Sequence, residues 1–380
     1  MRVLMTIDAI GGVWSYALEL GSWLTTHGVQ LVFASMGRAL RPAQRRQLEA
    51  REITLEESEY RLEWMEEPWT DVERAGEWLL ELERRHEPNV VHLNGYVHAA
   101  IGFRAPVISV AHSSVLSWWR AVFAEDAPEA FDRYRTEVRR GLRAAARIVA
   151  PTRAMLNALV EHEPWLRRDL DRAGLEASAA RALVIENGIG SQHFDEREKE
   201  PFVLSASRAW DRAKNVALLA RVAPNVSWPI QIAGEQNDES RAALAGSGLK
   251  LLGALGRERM SPLMRSAAIY AAPALYEPFG LSILEAAAGG AALVLGDIAS
   301  LRELWGGAAL FADARDAAAW ATAIQALIDD VSLRRRLALA ARARARRYSL
   351  ERMGRAYLTL YQEIHSCRLR SSLRLLEVAQ

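Results

Sequence analysis

From Val3 to Phe311 the chain alternates short runs of β-branched and aliphatic residues with longer stretches of helical spacing, and few folds tolerate that pattern. Strands apolar on both faces need cover on both faces, and strands joined through helices run parallel in one sheet. In the first half the strand candidates are Val3 to Ile7, Val29 to Ala34, Val90 to Leu93, Val107 to Val110, Ile148 to Ala150 and Leu183 to Glu186. Helices are expected between them, notably at Gly12 to His27, Val72 to His86 and Glu129 to Ala145. The second half has candidates at Phe202 to Ser205, Ile230 to Ala233, Leu251 to Leu252, Ile269 to Ala272, Ala292 to Leu295 and Ala309 to Phe311. Between the halves, Asp195 to Pro201 is charged and has no apolar period, so it is read as a linker. After Phe311 the spacing turns wholly helical. Leu350, Met353, Tyr357, Tyr361 and Ile364 recur three and four apart, which marks one buried helix face. The predicted class is α/β with two Rossmann-like domains, residues 1–195 and 196–348, followed by a helix over 349–380.

Composition narrows what such a chain does. At 380 residues, half of them apolar and a quarter charged, it has the balance of a soluble two-domain protein. The single cysteine, Cys367, excludes an intrachain disulfide and a thiolate metal cluster, which points to a reducing cytoplasm. The apolar run Met1 to Ile7 is too short for an export signal or a membrane span. A net charge of +1 argues against a dedicated nucleic-acid binder. The basic residues are nevertheless uneven, with twelve Arg against three Glu from Val331 onward. That end either solvates helix faces or offers a contact to anionic lipid or nucleic acid. Lysine occurs only at Lys199, Lys214 and Lys250.

The most informative local segment runs Glu277-Pro278-Phe279-Gly280-Leu281-Ser282-Ile283-Leu284-Glu285. Pro278 biases Glu277 away from helix, and Gly280 permits a backbone conformation that brings amide N–H groups against a ligand. A helix is expected to begin near Leu281, and its first-turn N–H groups suit phosphate oxygens or a developing oxyanion. Glu277 then precedes the helix mouth while Glu285 projects one turn further in. Two acids at a helix start also suit simple dipole complementation.

The segment resembles the Glu-x7-Glu motif of retaining glycosyltransferases with the GT-B fold, in particular glycosyltransferase family 4. The resemblance implies two Rossmann-like domains facing a central cleft, with a C-terminal helix returning to the first domain. It implies a hexosyltransferase that takes a nucleotide-diphosphate sugar as donor and needs neither cofactor nor metal. Glu277 would lie by the donor sugar, the amides of Phe279, Gly280 and Leu281 would touch sugar and phosphate, and Glu285 would bind the ribose. The run Ser205 to Asn215 follows a strand, at the sheet edge where open α/β folds bind ligands. Its Arg208 and Lys214 resemble the family's diphosphate clamp, although each also fits an ordinary solvated helix start. Ser207 and Asn215 depart from the pattern, since many relatives carry Gly at those places.

Two further elements carry the resemblance. Asp8-Ala9-Ile10-Gly11-Gly12 reads as a strand, a glycine turn and a helix start, and Gly12 is the expected donor contact. His112 follows the strand Val107 to Val110, where family members commonly have a His near the sugar's hydroxymethyl group; a structural His is the alternative. Trp118 and Trp119 offer stacking platforms or core, and Asn187-Gly188-Ile189 resembles an architectural turn of the family. Asp169-Leu170-Asp171 mimics a metal-binding Asp-x-Asp but sits in a charged helical stretch, so no metal site is expected there. The expected catalytic set is Glu277, His112, Arg208 and Lys214. The acceptor, whether sugar, lipid or small molecule, has no signature. A GT-B sugar phosphorylase or nucleotide-sugar hydrolase uses much the same residues, and a non-catalytic nucleotide-sugar-binding scaffold is the alternative of another class.

Overall fold

The computed structural model describes residues 1–9, 11–167, 181–195 and 197–378, with side chains as far as residue 368. The described residues form two parallel sheets. The first contains β1 (Arg2–Asp8), β2 (Gln30–Met36), β3 (Thr54–Glu57), β4 (Val90–Leu93), β5 (Val107–Val110), β6 (Arg147–Ala150) and β7 (Ala182–Val184), in the order β3-β2-β1-β4-β5-β6-β7. The second contains β8 (Glu200–Ala206), β9 (Ile230–Ala233), β10 (Lys250–Gly253), β11 (Ala267–Ala272), β12 (Ala292–Gly296) and β13 (Leu310–Ala312), in the order β10-β9-β8-β11-β12-β13. Strand order reverses between β1 and β4 in one sheet and between β8 and β11 in the other. At such a switch point adjacent loops leave in opposite directions and open a crevice at the carboxyl edge.

Every expected strand falls on an observed one, within two residues at either end. The exception in the other direction is β3, which no apolar run announced. Its sequence Thr-Leu-Glu-Glu lies at a sheet edge with no residue fully buried, so it carries charge where a central strand would carry aliphatics. In the second sheet the two-residue period sorts the core. Val203, Ile269, Ala292 and Val294 pack with Leu219, Trp320 and Ile324, whereas Leu204, Tyr270, Leu293 and Leu295 pack with Ile283, Leu284 and Trp305.

The chain divides into two compact units. One comprises Met1–Ser117, Asp126–Glu186 and the chain from Leu350 onward; the other comprises Trp118–Glu125 and Asn187–Ser349. The boundary therefore lies after Glu186 rather than in the charged run after Asp195. The reason is local packing: Ile189 is buried in the core beside β8, pairs with Ser349, and donates its N–H to the carbonyl of Tyr348 at 3.1 Å.

Part of the arginine excess near the C-terminus closes helix ends. Arg334 donates to the carbonyls of Leu327 (2.5 Å) and Ile328 (3.0 Å), Arg342 to Phe194 (2.5 Å), and Arg344 to Leu304 and Gly306 at 3.1 Å each. A guanidinium fork reaches several orphan carbonyls at once, which a helix C-terminus leaves unpaired. Lys199 does similar work with its ammonium, donating to Arg265 at 2.6 Å and Gly289 at 2.5 Å.

Within the first unit the final helix, Leu350–Val378, buries Met353, Tyr357, Leu360, Tyr361 and Ile364 and contacts the helix Gly12–Thr26. The helices approach closely at Gly354, where a Cβ would stand 2.2 Å from the Trp23 ring, whose Nε1 donates to Glu351 at 2.6 Å. Gly354→Ala should therefore destabilise the protein by about 1–3 kcal/mol despite alanine's better helix propensity, as overpacking does. Denaturant unfolding checks this, and unchanged stability would contradict the packing.

Candidate active site

In the second unit the switch point brings together the loops that follow β8 and β11. The loop after β8 makes one tight turn, Arg212–Lys214, capped by Asp211, whose Oδ1 accepts from the amide of Ala213 at 3.0 Å. Asn215 ends that turn in the left-handed region at φ 54°, a conformation that glycine or asparagine tolerates. Its side-chain amide donates to the carbonyls of Pro273 (3.1 Å) and Ala314 (2.6 Å), while the amide of Leu275 donates to Ala213 O at 2.8 Å. These bonds stitch the loop after β8 to the loops after β11 and β13. Asparagine here thus keeps the turn and adds an anchor.

The stitching sets Lys214 Nζ 2.6 Å from Glu277 Oε2, with both side chains mostly buried. Arg208 Nη2 meets Asp211 Oδ2 at 2.9 Å, and its guanidinium lies 5.1 Å from the centre of the exposed Trp210 ring. Asp211, only 8% exposed, thereby holds both cations, one by an ion pair and one by capping its turn. The chain can approach this closely because residue 234 is glycine: a Cβ there would fall 1.8 Å from Ser207 O. Trp118 Nε1 also donates to Asp211 Oδ1, at 3.2 Å, and Trp119 packs against Phe123 with ring centres 4.6 Å apart.

After Glu277 the helix Leu281–Ala288 begins at Gly280, whose φ of 86° lies in the left-handed region that favours glycine. Phe279 turns its ring into the core against Tyr348, so only its backbone is available to a ligand. Ser282 Oγ accepts from Tyr270 OH at 2.9 Å. Burial first, and then the charges of Glu277 and Glu285, push the Tyr270 phenol up.

The first unit presents a second group of side chains at its own switch point. Gly11 takes the positive φ, 73°, and Gly12 is the first residue of the helix that follows β1. Beyond β4 stands Asn94, which no sequence motif announced. Its amide nitrogen donates to Thr6 O at 2.6 Å, and its Oδ1 lies 2.8 Å from His112 Nε2 and 3.1 Å from His92 Nε2. His92 is fully buried, with Tyr361 OH 2.6 Å from its Nδ1. The Tyr16 ring stands edge-on to His112, centres 4.5 Å apart.

The comparisons fit this geometry. Residues 10–189 match the family described as "Glycosyltransferase Family 4", and residues 200–330 match "Glycosyl transferases group 1". The chain belongs to the GT-B glycosyltransferases of family 4 type. Sucrose-phosphate synthase from Thermosynechococcus elongatus shares the fold at a TM-score of 0.77, with 17% identity over 97% of this chain and 100% of that one. HepE from Anabaena, solved with UDP and glucose, does so at 0.74, with 16% identity over 95% and 99%. Among curated relatives, glycogen synthase of Mycobacterium tuberculosis strain H37Rv is 29% identical over 182 residues, 43% of this chain and 44% of that protein. A D-inositol 3-phosphate glycosyltransferase from Xylanimonas cellulosilytica is 35% identical over 109 residues, 28% of this chain and 26% of that protein. Each of these two matches spans less than half the relative's length.

Of the expected site residues in this family 4 chain, Arg208, Lys214, Glu277, Phe279, Gly280, Leu281 and Glu285 lie together in the second unit. Gly12 and His112 lie at the carboxyl edge of the first sheet. Asp211 and Asn94 were missed, yet both occupy strand-following loops, and an acid between Arg208 and Lys214 was the available signal. Among the described residues no cluster of His, Cys, Asp or Glu could hold a metal ion, and Asp169 and Asp171 lie outside those residues. No described helix is long and apolar enough to cross a membrane.

Burial pushes both His92 and His112 down from 6.5 to about 3. Unfolded, these imidazoles take protons near 6.5; folded, they stay neutral until far lower pH. Their contribution to stability is therefore complete above pH 6.5 and is lost as pH falls towards 3. Unfolding free energies across that window should show this loss, with a shallower slope in His92→Gln; an unchanged slope would contradict a buried, neutral His92.

Proposed function

We propose that this chain is a retaining glycosyltransferase that moves a hexose from a nucleotide-diphosphate sugar to an acceptor hydroxyl without a metal. The observation that carries the reading is the Lys214–Glu277 contact of 2.6 Å beside a glycine-opened helix start at the second switch point. A transferase of this kind needs positive charge for the leaving phosphates and negative charge near the oxocarbenium-like sugar, adjacent but distinct. An ammonium has three donors, so Lys214 can keep Glu277 and still reach a phosphate oxygen. Arg208 spends one donor direction on Asp211 and has others for the second phosphate. The amides at Gly280 and Leu281 would receive the remaining phosphate charge, and Glu285 the ribose hydroxyls. The complexes of HepE with UDP and with UDP-glucose support a uridine nucleotide among the first donors to try.

In the proposed reaction the bond from the anomeric carbon to the phosphate oxygen breaks, and a bond to the acceptor oxygen forms on the same face. The acceptor's proton passes to the departing phosphate. Glu277 stabilises the sugar as positive charge develops, and His112 orients it. We assign the reaction to the cytoplasm, with the exposed arginines Arg335, Arg336, Arg346 and Arg347 available for peripheral contact with anionic lipid.

Lys214→Ala and Glu277→Ala should each lower turnover at least about a hundredfold, roughly 3 kcal/mol of transition-state stabilisation, with the fold intact by circular dichroism. Near-normal turnover in either variant sinks the assignment. A thermal-shift panel of uridine and guanosine diphosphate sugars identifies the donor, since a ligand at a hundred times its Kd adds about 2.7 kcal/mol of stability. The same shift should persist in excess chelator; its disappearance would show that a divalent metal is required.

A further inference from the structure

His112 is half-buried, and which of its nitrogens carries the proton decides whether it can donate to a ligand or only accept. The hydrogen-bond partners around it fix the answer. Thr6 O is a carbonyl and can only accept, so the Asn94 atom 2.6 Å from it must be the amide nitrogen. Asn94 Oδ1 then faces both imidazoles, and an amide oxygen also only accepts. Each Nε2 in contact with it, that of His112 at 2.8 Å and that of His92 at 3.1 Å, must therefore carry a hydrogen. With Nε2 protonated, the Nδ1 of neutral His92 is bare and receives the hydroxyl of Tyr361 at 2.6 Å. Tyr16 OH stands 3.4 Å from the same His92 Nε2 and, with that nitrogen protonated, can accept from it, so this contact agrees with the assignment. The wiring runs from the final helix through β4 to the loop after β5.

One atom is left over. Among the described residues His112 Nδ1 has no hydrogen-bond partner. We propose that Asn94 is a positioning residue that holds His112 in the Nε2–H tautomer, leaving the Nδ1 lone pair as the atom that accepts from a hydroxyl of a bound sugar. The ligand half of this inference rests on the glycosyltransferase reading above; the tautomer itself does not. The titratable groups packed around the pair are Tyr16 from the helix Gly12–Thr26 and Tyr357 and Tyr361 from the final helix. All three phenols are raised by burial and stay neutral, so none competes for the proton. A group in that place which only accepts requires a ligand group that donates.

Nitrogen-15 spectra of the full chain with labelled histidines test this directly, with His112 assigned from its loss in His112→Gln. Wild type should show His112 as one species, protonated at Nε2 and bare at Nδ1. Asn94→Leu, which fills similar space but accepts nothing, should convert it to a mixture of tautomers. A proton on Nδ1 in wild type, or an unchanged tautomer in Asn94→Leu, overturns the proposal. Should Asn94→Leu not fold, Asn94→Asp serves, because a carboxylate at the same place stabilises the imidazolium. The His112 titration should then move from about 3 towards neutral pH, and a titration that stays where it was overturns the proposal equally. These readouts need no substrate. A wild type with the expected tautomer that transfers no sugar from any donor counts against the glycosyltransferase reading and leaves the tautomer lock standing.

Discussion

Parallel pairing sends every strand-following loop out at one edge of its sheet, and the reversal of strand order parts those loops at one place only. In the second sheet that place lies between β8 and β11. Lys214 and Glu277 are 63 residues apart in the chain, and they meet because these two strands are neighbours there. The same constraint in the first sheet sets Gly12, after β1, beside Asn94, after β4, with His112 one strand further along. Without the parallel sheets neither group of side chains would exist as a group.

Geometry at the edge is refined by small backbone devices rather than by bulk. Asn215 in a left-handed turn, Gly234 in a close approach and Gly280 at a helix start each settle where a charged or amide group can stand. Acceptors buried wholly or in part then orient the polar groups. Asp211 holds Arg208 and caps the turn of Lys214, while Asn94 plays the corresponding part for two imidazoles. A sheltered polar group with several hydrogen bonds is costly to disturb and so rigidifies what it touches.

The alternation of apolar and helical runs was enough to place the central strands, because a strand buried on both faces reads as a nearly continuous aliphatic run. It was not enough for β3, whose edge position lets Thr54, Glu56 and Glu57 stand in a strand. The charged run after Asp195 was read as the junction between units, but the chain leaves the first unit at Glu186, since Ile189 already belongs to a core completed by residues 348 and 349. A contact across 160 positions leaves no trace in a local window.

What the sequence by itself determined is the set of ingredients: parallel sheets, a glycine-opened helix behind Glu277, and basic residues in a loop that follows a strand. Local sterics and burial dictate these, and both are written residue by residue. Only the tertiary structure decided which ingredients meet. The pairing of Lys214 with Glu277, the capture of Arg208 by Asp211 and the protonation pattern from Tyr361 to His112 depend on strand order and on partners far away in the chain. Hydrogen-bond direction is a property of the assembled network, because a donor is recognised only once its acceptor is in place.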